Sequence, residues 1–199
     1  MDRHEHETST LAYYNQQAQE HLRFRGEGVS QYWSQELARF QELLPQGSVL
    51  EIGCGTGNEA ILLHRLGYDY VGLDLSLGML SVAQERSPEA NFVCQDLRSP
   101  GFARPFDGLV AFASLLHLEK DELVPALNTL RQQIRSGGIG LITLKEGEGT
   151  EIDSKGRFYS YYNSTELADA LDLSGFEILD ITLHPEKGHD FLCCFVKNP

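Results

Sequence analysis

A glycine stands at every second position of Gly53-Cys54-Gly55-Thr56-Gly57, and this spacing constrains the chain more than any other feature. Glycine permits backbone angles and close approaches that side chains forbid. The run follows an apolar, strand-like stretch, Val49-Leu50-Glu51-Ile52, and precedes a helix-like stretch from Glu59 to Leu66. Strand, glycine turn and helix N-terminus, in that order, make a cradle for a nucleotide-like ligand. Asp74 closes a second apolar run, Tyr70-Val71-Gly72-Leu73, at the place where an acid can bind ribose hydroxyls. The dinucleotide fingerprint G-x-G-x-x-G would need a glycine where this chain has Asn58, so the pattern argues against a nicotinamide oxidoreductase.

Helical and strand-like segments alternate around this turn. Thr8 to Leu22 and Val29 to Leu44 read as helices, the second broken by Pro45-Gln46-Gly47. Strands are expected at 48–53, 69–74, 91–94, 106–112 and 139–144, with helices at 58–66, 77–86 and 120–136 between them. Ser76 is placed to cap the helix from Leu77, and Gly137-Gly138 to end the one from Lys120. A loop from Lys145 to Tyr162 leads to a helix at 164–173, then strands at 176–184 and 191–197. The four-residue connection Pro185-Glu186-Lys187-Gly188 suits an antiparallel hairpin. The expectation is one α/β domain over residues 1–199. Its Rossmann-like, doubly wound, mostly parallel seven-stranded sheet ends in an antiparallel hairpin and has helices on both faces.

Charge limits the partners. The chain has 29 acidic and 16 basic side chains, a net charge of −13. A diffuse acidic surface repels phosphate backbones and anionic membranes, which disfavours nucleic acid and membrane as partners. No apolar run reaches transmembrane length, and the polar start Met1-Asp2-Arg3-His4-Glu5-His6-Glu7 does not read as a signal peptide. Cys54, Cys94, Cys193 and Cys194 form no C-x-x-C pair and read as buried free thiols of a reducing, cytoplasmic setting. His4 and His6 have no third ligand at suitable spacing, so no metal site is expected and they read as part of a solvated, frayed terminus.

Five segments taken in order resemble the class I S-adenosylmethionine-dependent methyltransferases. Glu51-x-Gly53-x-Gly55-x-Gly57 is similar to the family's first motif and Gly72-Leu73-Asp74-Leu75-Ser76 to its second. Cys94-Gln95-Asp96-Leu97 resembles the segment beside the adenine. Phe106-Asp107-Gly108-Leu109-Val110, continuing to Ser114-Leu115-Leu116-His117, resembles the strand-four motif, and Arg135-Ser136-Gly137-Gly138-Ile139 the turn into strand five. The resemblance implies S-adenosylmethionine as methyl donor, S-adenosylhomocysteine as product and a small-molecule acceptor. A tRNA or protein methyltransferase, or a non-catalytic sensor binding the same ligand, is the alternative. It also implies roles. Gly53, Cys54, Gly55 and Gly57 would bring backbone to the methionine part and ribose, and Glu51 would hold the amino group. Asp74 would accept from the ribose hydroxyls, Leu75 and Met79 would flank the adenine, and Asp96 with the Leu97 backbone would bind its amine. The backbone at Ala113 and Ser114 would face the methionine amino group. Tyr14, with Arg23 or Arg25, would stand near the carboxylate in an N-terminal segment (1–44) that closes over the site.

Two candidates concern the acceptor. His117, at the carboxyl edge of the sheet, reads either as a base or substrate contact or as a packed helix-start histidine. Arg157-Phe158-Tyr159-Ser160-Tyr161-Tyr162, in a substrate-loop candidate at 145–162, either encloses a flat or anionic acceptor or anchors a long loop. Trp33 and Phe40 are at helical spacing and read as packing.

Overall fold

The computed structural model describes residues 3–25, 32–185 and 188–199. β1 (Ser48–Ile52), β2 (Asp69–Asp74), β3 (Asn91–Cys94), β4 (Phe106–Phe112) and β5 (Ile134–Lys145) alternate with α3 (Asn58–Arg65), α4 (Leu77–Arg86) and α5 (Lys120–Arg131). α1 (Arg3–Arg25) and α2 (Ser34–Leu43) precede β1. A hairpin of β6 (Thr150–Ile152) and β7 (Phe158–Ser160), then α6 (Ser164–Leu173), β8 (Glu177–His184) and β9 (Phe191–Lys197), follow β5. The main sheet has seven strands in the order β3-β2-β1-β4-β5-β9-β8. β1 to β5 are parallel, and β9 runs antiparallel to both β5 and β8. This is the expected architecture, hairpin included.

The central strands are buried on both faces, so their apolar runs are continuous rather than alternating. Val49, Leu50, Leu109, Val110, Leu141 and Ile142 are all fully enclosed. Phe40 of α2 is 0% exposed, and its ring leaves no room for a side chain at Gly108 in β4. Ser76 caps α4 by accepting from Met79 N at 3.2 Å, as expected.

Three boundaries differ from the expectation. α5 stops at Arg131, because Ile134 belongs to the sheet: it pairs with Phe106 and is 2% exposed. Leu130 and Ile134 share helical spacing, but Ile134 reaches the core from a strand. Gly137-Gly138 forms an irregularity within β5, not a helix stop, and a Cβ at Gly138 would meet Ile134 Cγ2 and Asp107 O. The 145–162 segment contains the β6–β7 hairpin, whose three-residue strands are too short to show a period. α1 starts five residues before Thr8, while residues 29–31 of the expected second helix lie outside the described residues.

Two side-chain expectations also fail. His6 is 3% exposed, stacks on Phe158 at 4.1 Å and shares a hydrogen bond with Glu119 at 2.7 Å, so it is packed rather than solvated. Tertiary contact with the hairpin, invisible in the sequence, holds it. Cys94 is an exposed thiol, unlike buried Cys54, Cys193 and Cys194.

Truncating Phe40→Ala should cost about 3–5 kcal/mol, the range for an enclosed aromatic. Urea unfolding monitored by circular dichroism checks this.

Candidate active site

The carboxyl ends of β1, β2 and β4 open into one cavity of about 400 Å³, roofed by α1. Gly53, Gly55 and Gly57 all take left-handed angles, with φ of 69°, 52° and 71°. Gly53 N and Cys54 N donate to Leu73 O, which draws the turn over the end of β2. Each glycine answers a different demand. A Cβ on Gly53 would strike Ser114, one on Gly57 would press on Ala83 and Phe92, and one on Gly55 would meet open space. Gly53, Cys54 and Gly55 line the cavity, whereas Gly57 serves the packing of α3 on α4.

Asp74 lies beneath this turn. Its Oδ2 accepts from Gly55 N at 2.9 Å and its Oδ1 from Ser76 N at 2.8 Å. Burial raises its pKa, and these backbone donors act against the rise. The carboxylate is thereby fixed by two loops while retaining lone pairs toward the cavity. Leu75, 43% exposed, and Met79, packed on Ala18 and Val82, form the adjoining wall.

Asp96 and Leu97 also line the cavity. Asp96 is engaged by Arg98, whose Nε and Nη2 donate to its carboxylate at 3.0 and 2.7 Å. Arg98 Nη1 also reaches Glu7 of α1 at 2.8 Å and Glu122 of α5 at 3.0 Å. Three carboxylates from three elements thus converge on one guanidinium, an arrangement no local pattern announces.

Glu51 does not line the cavity. It is 1% exposed and accepts from Tyr70 OH behind the glycine turn. Burial, with Glu59 and Asp74 nearby, pushes its pKa well up. Ala113 has φ 48°, the only non-glycine residue among those described with positive φ, and its N–H donates to Thr143 Oγ1 at 2.9 Å. That kink brings Ser114 against Gly53. Ser114 Oγ and Thr56 Oγ1, both in cavity-lining residues, are buried without a hydrogen-bond partner among the described residues. Buried polar atoms are normally satisfied.

His117 follows in a short 3₁₀ turn and lines the cavity. Its Nδ1 is 2.6 Å from Phe158 O and its Nε2 is 2.8 Å from Tyr14 OH. A carbonyl can only accept, so Nδ1 carries the proton and Tyr14 donates to Nε2. Burial lowers the His117 pKa to about 4 and raises that of Tyr14. Arg157 and Tyr159 lie outside the lining residues. Arg157 is bound by Asp153, with Nη2 2.6 Å from Oδ2, and sits over the rings of Tyr13 and Tyr159. Arg23 is exposed, and the side chain of Arg25 lies outside the described residues. Trp33, read from its spacing as packing, joins His21 and Phe112 in the cavity wall.

A seven-stranded sheet of this order, with a glycine turn after β1 and an acid closing β2, defines the Rossmann-like methyltransferase fold. The comparisons agree. Residues 49–138 match a family model described as a methyltransferase domain. The chain is 30% identical over 158 residues to the malonyl-[acyl-carrier protein] O-methyltransferase of Herminiimonas arsenicoxydans, covering 75% of this chain and 60% of that one. It is 35% identical over 127 residues to the trans-aconitate 2-methyltransferase of Delftia acidovorans, covering 57% and 46%. The crystal structure of Burkholderia thailandensis 1,6-didemethyltoxoflavin-N1-methyltransferase superposes with a TM-score of 0.83 at 20% identity, over 99% of this chain and 90% of that one. The chain spans about half the length of the curated relatives it matches. Over residues 49–138, and in its fold, it is similar to the class I S-adenosylmethionine-dependent methyltransferases.

The titration of His117 should appear in stability. Its pKa is 6.5 when unperturbed and about 4 when folded, so on acidification the unfolded chain takes up a proton first. The contribution is complete above the unfolded value and is lost as pH falls toward the folded one, about 3 kcal/mol in full. Unfolding free energies of the wild type and His117→Gln, compared from about pH 7 to pH 5, should converge as pH falls.

Proposed function

We propose that this protein transfers a methyl group from S-adenosylmethionine to a small-molecule acceptor. One observation carries the reading: the Asp74 carboxylate, fixed by the Gly55 and Ser76 amides, faces a cavity beneath a glycine turn whose Gly55 has space where a Cβ would be. The cavity volume lies in the range of small-ligand sites. Its charged lining, Glu7, Glu59, Asp74 and Asp96 against Arg98, suits a cationic ligand. The unpartnered Ser114 and Thr56 hydroxyls offer hydrogen bonds to one.

In this reading Asp74 accepts from the ribose hydroxyls, Leu75 and Met79 flank the base, and Asp96 with the Leu97 backbone takes the exocyclic amine. Gly53, Cys54, Ala113 and Ser114 line the methionine end. Glu51 acts from behind the turn as a structural support, bonded to Tyr70. S-adenosylmethionine supplies the reactive methyl on a sulfonium sulfur. The protein aligns the acceptor and excludes water, and such orientation can contribute roughly 7–11 kcal/mol. The Tyr14 ring covers the site, and its hydroxyl, held by donation to His117 Nε2, orients the acceptor beside it. The helix α1 forms the cover, and the β6–β7 hairpin backs His117 through the Phe158 carbonyl. Buried, unpaired Cys54, Cys193 and Cys194 support a cytoplasmic setting, and the net charge of −13 speaks against nucleic acid as acceptor.

Calorimetric titration with S-adenosylhomocysteine tests the reading, and heat that fits no binding isotherm with folded protein would refute it. Asp74→Ala should weaken that binding roughly tenfold or more, since bonds to a charged acceptor are worth about 1.5–3 kcal/mol each. Tyr14→Phe keeps the ring and removes the hydroxyl. It should lower kcat by on the order of 10²-fold while leaving S-adenosylhomocysteine affinity intact. Single-turnover assays with labelled methyl donor measure this effect.

A further inference from the structure

The cavity is divided by charge. Apart from its histidines, its charged lining residues are Glu7, Glu59, Asp74, Asp96 and Arg98. Asp74 ends β2, Glu59 opens α3 after β1, and Asp96 and Arg98 follow β3. Glu7 is drawn to the same side by its ion pair with Arg98. The charged end of the cavity therefore lies under β1, β2 and β3.

The opposite end, beyond the tip of β4, is walled by Tyr14, His21, Trp33, Phe112, His117 and Leu118, five rings in six residues. Trp33 stacks on Phe112 with centroids 5.3 Å apart and planes 18° from parallel. Tyr14 meets His21 and His117 edge-on at 5.9 and 5.3 Å. His117 is neutral, with both ring nitrogens engaged. The cations nearest these rings, Arg157 beside Tyr14 and Lys145 near His117, are already engaged and do not line the cavity. Lys145 sits over the Tyr159 ring at 3.9 Å, and Arg157 is held by Asp153. Arg98, at the far end, already serves three carboxylates. A cationic acceptor fares no better, because no carboxylate stands among the rings at the β4 end. Burying an unpaired charge there would be strongly unfavourable.

We infer that the acceptor is an uncharged, flat aromatic heterocycle seated against Trp33 and Phe112 at the β4 end of the cavity, a statement that rests on the methyl transfer proposed above. Aromatic surfaces recognise such a ring by stacking and area burial. A polar handle for a ring heteroatom is at hand: Thr10 Oγ1, which accepts from Phe158 N at 2.9 Å, retains its own proton to donate.

Trp33 is the only tryptophan of the chain, so its fluorescence reports on this end alone. The full-length protein is titrated with quinoxaline, a neutral bicyclic heterocycle, with glutarate, a dianion, and with cyclohexylamine, a cation. Each titration is run with and without saturating S-adenosylhomocysteine. Quinoxaline should quench Trp33 saturably and bind at least roughly tenfold tighter than the other two. Trp33→Leu, followed by calorimetry, should lose that preference while keeping its affinity for S-adenosylhomocysteine. Should that variant fail to fold, Phe112→Leu retains the Trp33 signal and should weaken quinoxaline in the same way. Glutarate or cyclohexylamine binding as tightly as quinoxaline would overturn the inference, and so would quinoxaline binding that leaves Trp33 unquenched. Failure of S-adenosylhomocysteine to bind, with quinoxaline quenching intact, would instead remove the methyl-donor reading.

Discussion

The Asp74 carboxylate joins two turns that would otherwise be independent. One oxygen holds the Gly55 amide of the β1–α3 turn, and the other holds the Ser76 amide at the start of α4. Charge-assisted bonds to backbone N–H groups are strong because both partners are fixed and partly shielded from water. The glycine turn can bend over the end of β2 because three of its residues accept left-handed angles. From that junction follow the position of Ser114 against Gly53, the packing of Gly57 on α4 and the opening of the cavity between them. An acid in this place also tolerates burial better than an isolated one, since its donors oppose the desolvation that raises its pKa.

The roof is held by polar contacts spread along α1. Glu7 meets Arg98, Asn15 accepts from Ser76 Oγ and Gly78 N, and Tyr14 donates to His117. Between them Ala18 packs on Met79 and Val82. The helix carries little apolar surface of its own, so its placement depends on partners that belong to the site: the β2–α4 turn, the loop after β3 and the 3₁₀ turn after β4. Cover and cavity are therefore one structural unit, and the side chains that fasten the cover are close to those proposed to hold the ligand.

Electrostatics separates the two ends of that cavity. Acidic groups gather where a cationic donor is proposed to lie, and neutral rings where the acceptor is proposed to lie. The acidity of the whole chain has the same direction as the donor end but does not extend to the β4 end. His117 shows how burial shapes function there. Enclosed between Tyr14 and the Phe158 carbonyl, it stays neutral through the physiological range and holds one tautomer.

Much of this was legible in the amino-acid order, because period, glycine placement and capping residues act over a few neighbours. The five parallel strands, the C-terminal hairpin, the cap at Ser76 and the class of fold follow from such local signals, and the spacing of Gly53, Gly55, Gly57 and Asp74 marks the turn. Local signals failed where a residue's role is set by a distant partner. Ile134 continues a helical stripe yet enters the sheet beside Phe106, and His6 looks solvated yet stacks on Phe158. Glu51 was legible as an acid before the glycines, but the Tyr70 hydroxyl, nineteen residues on, turns it away from the cavity. The sequence by itself determined the strand order's alternation and the glycine bend, since both depend on the backbone preferences of adjacent residues. Only the tertiary structure decided the convergence of Glu7, Asp96 and Glu122 on Arg98 and the bridge from Tyr14 through His117 to Phe158. Those contacts join residues up to 103 positions apart, and only packing brings them within hydrogen-bond reach.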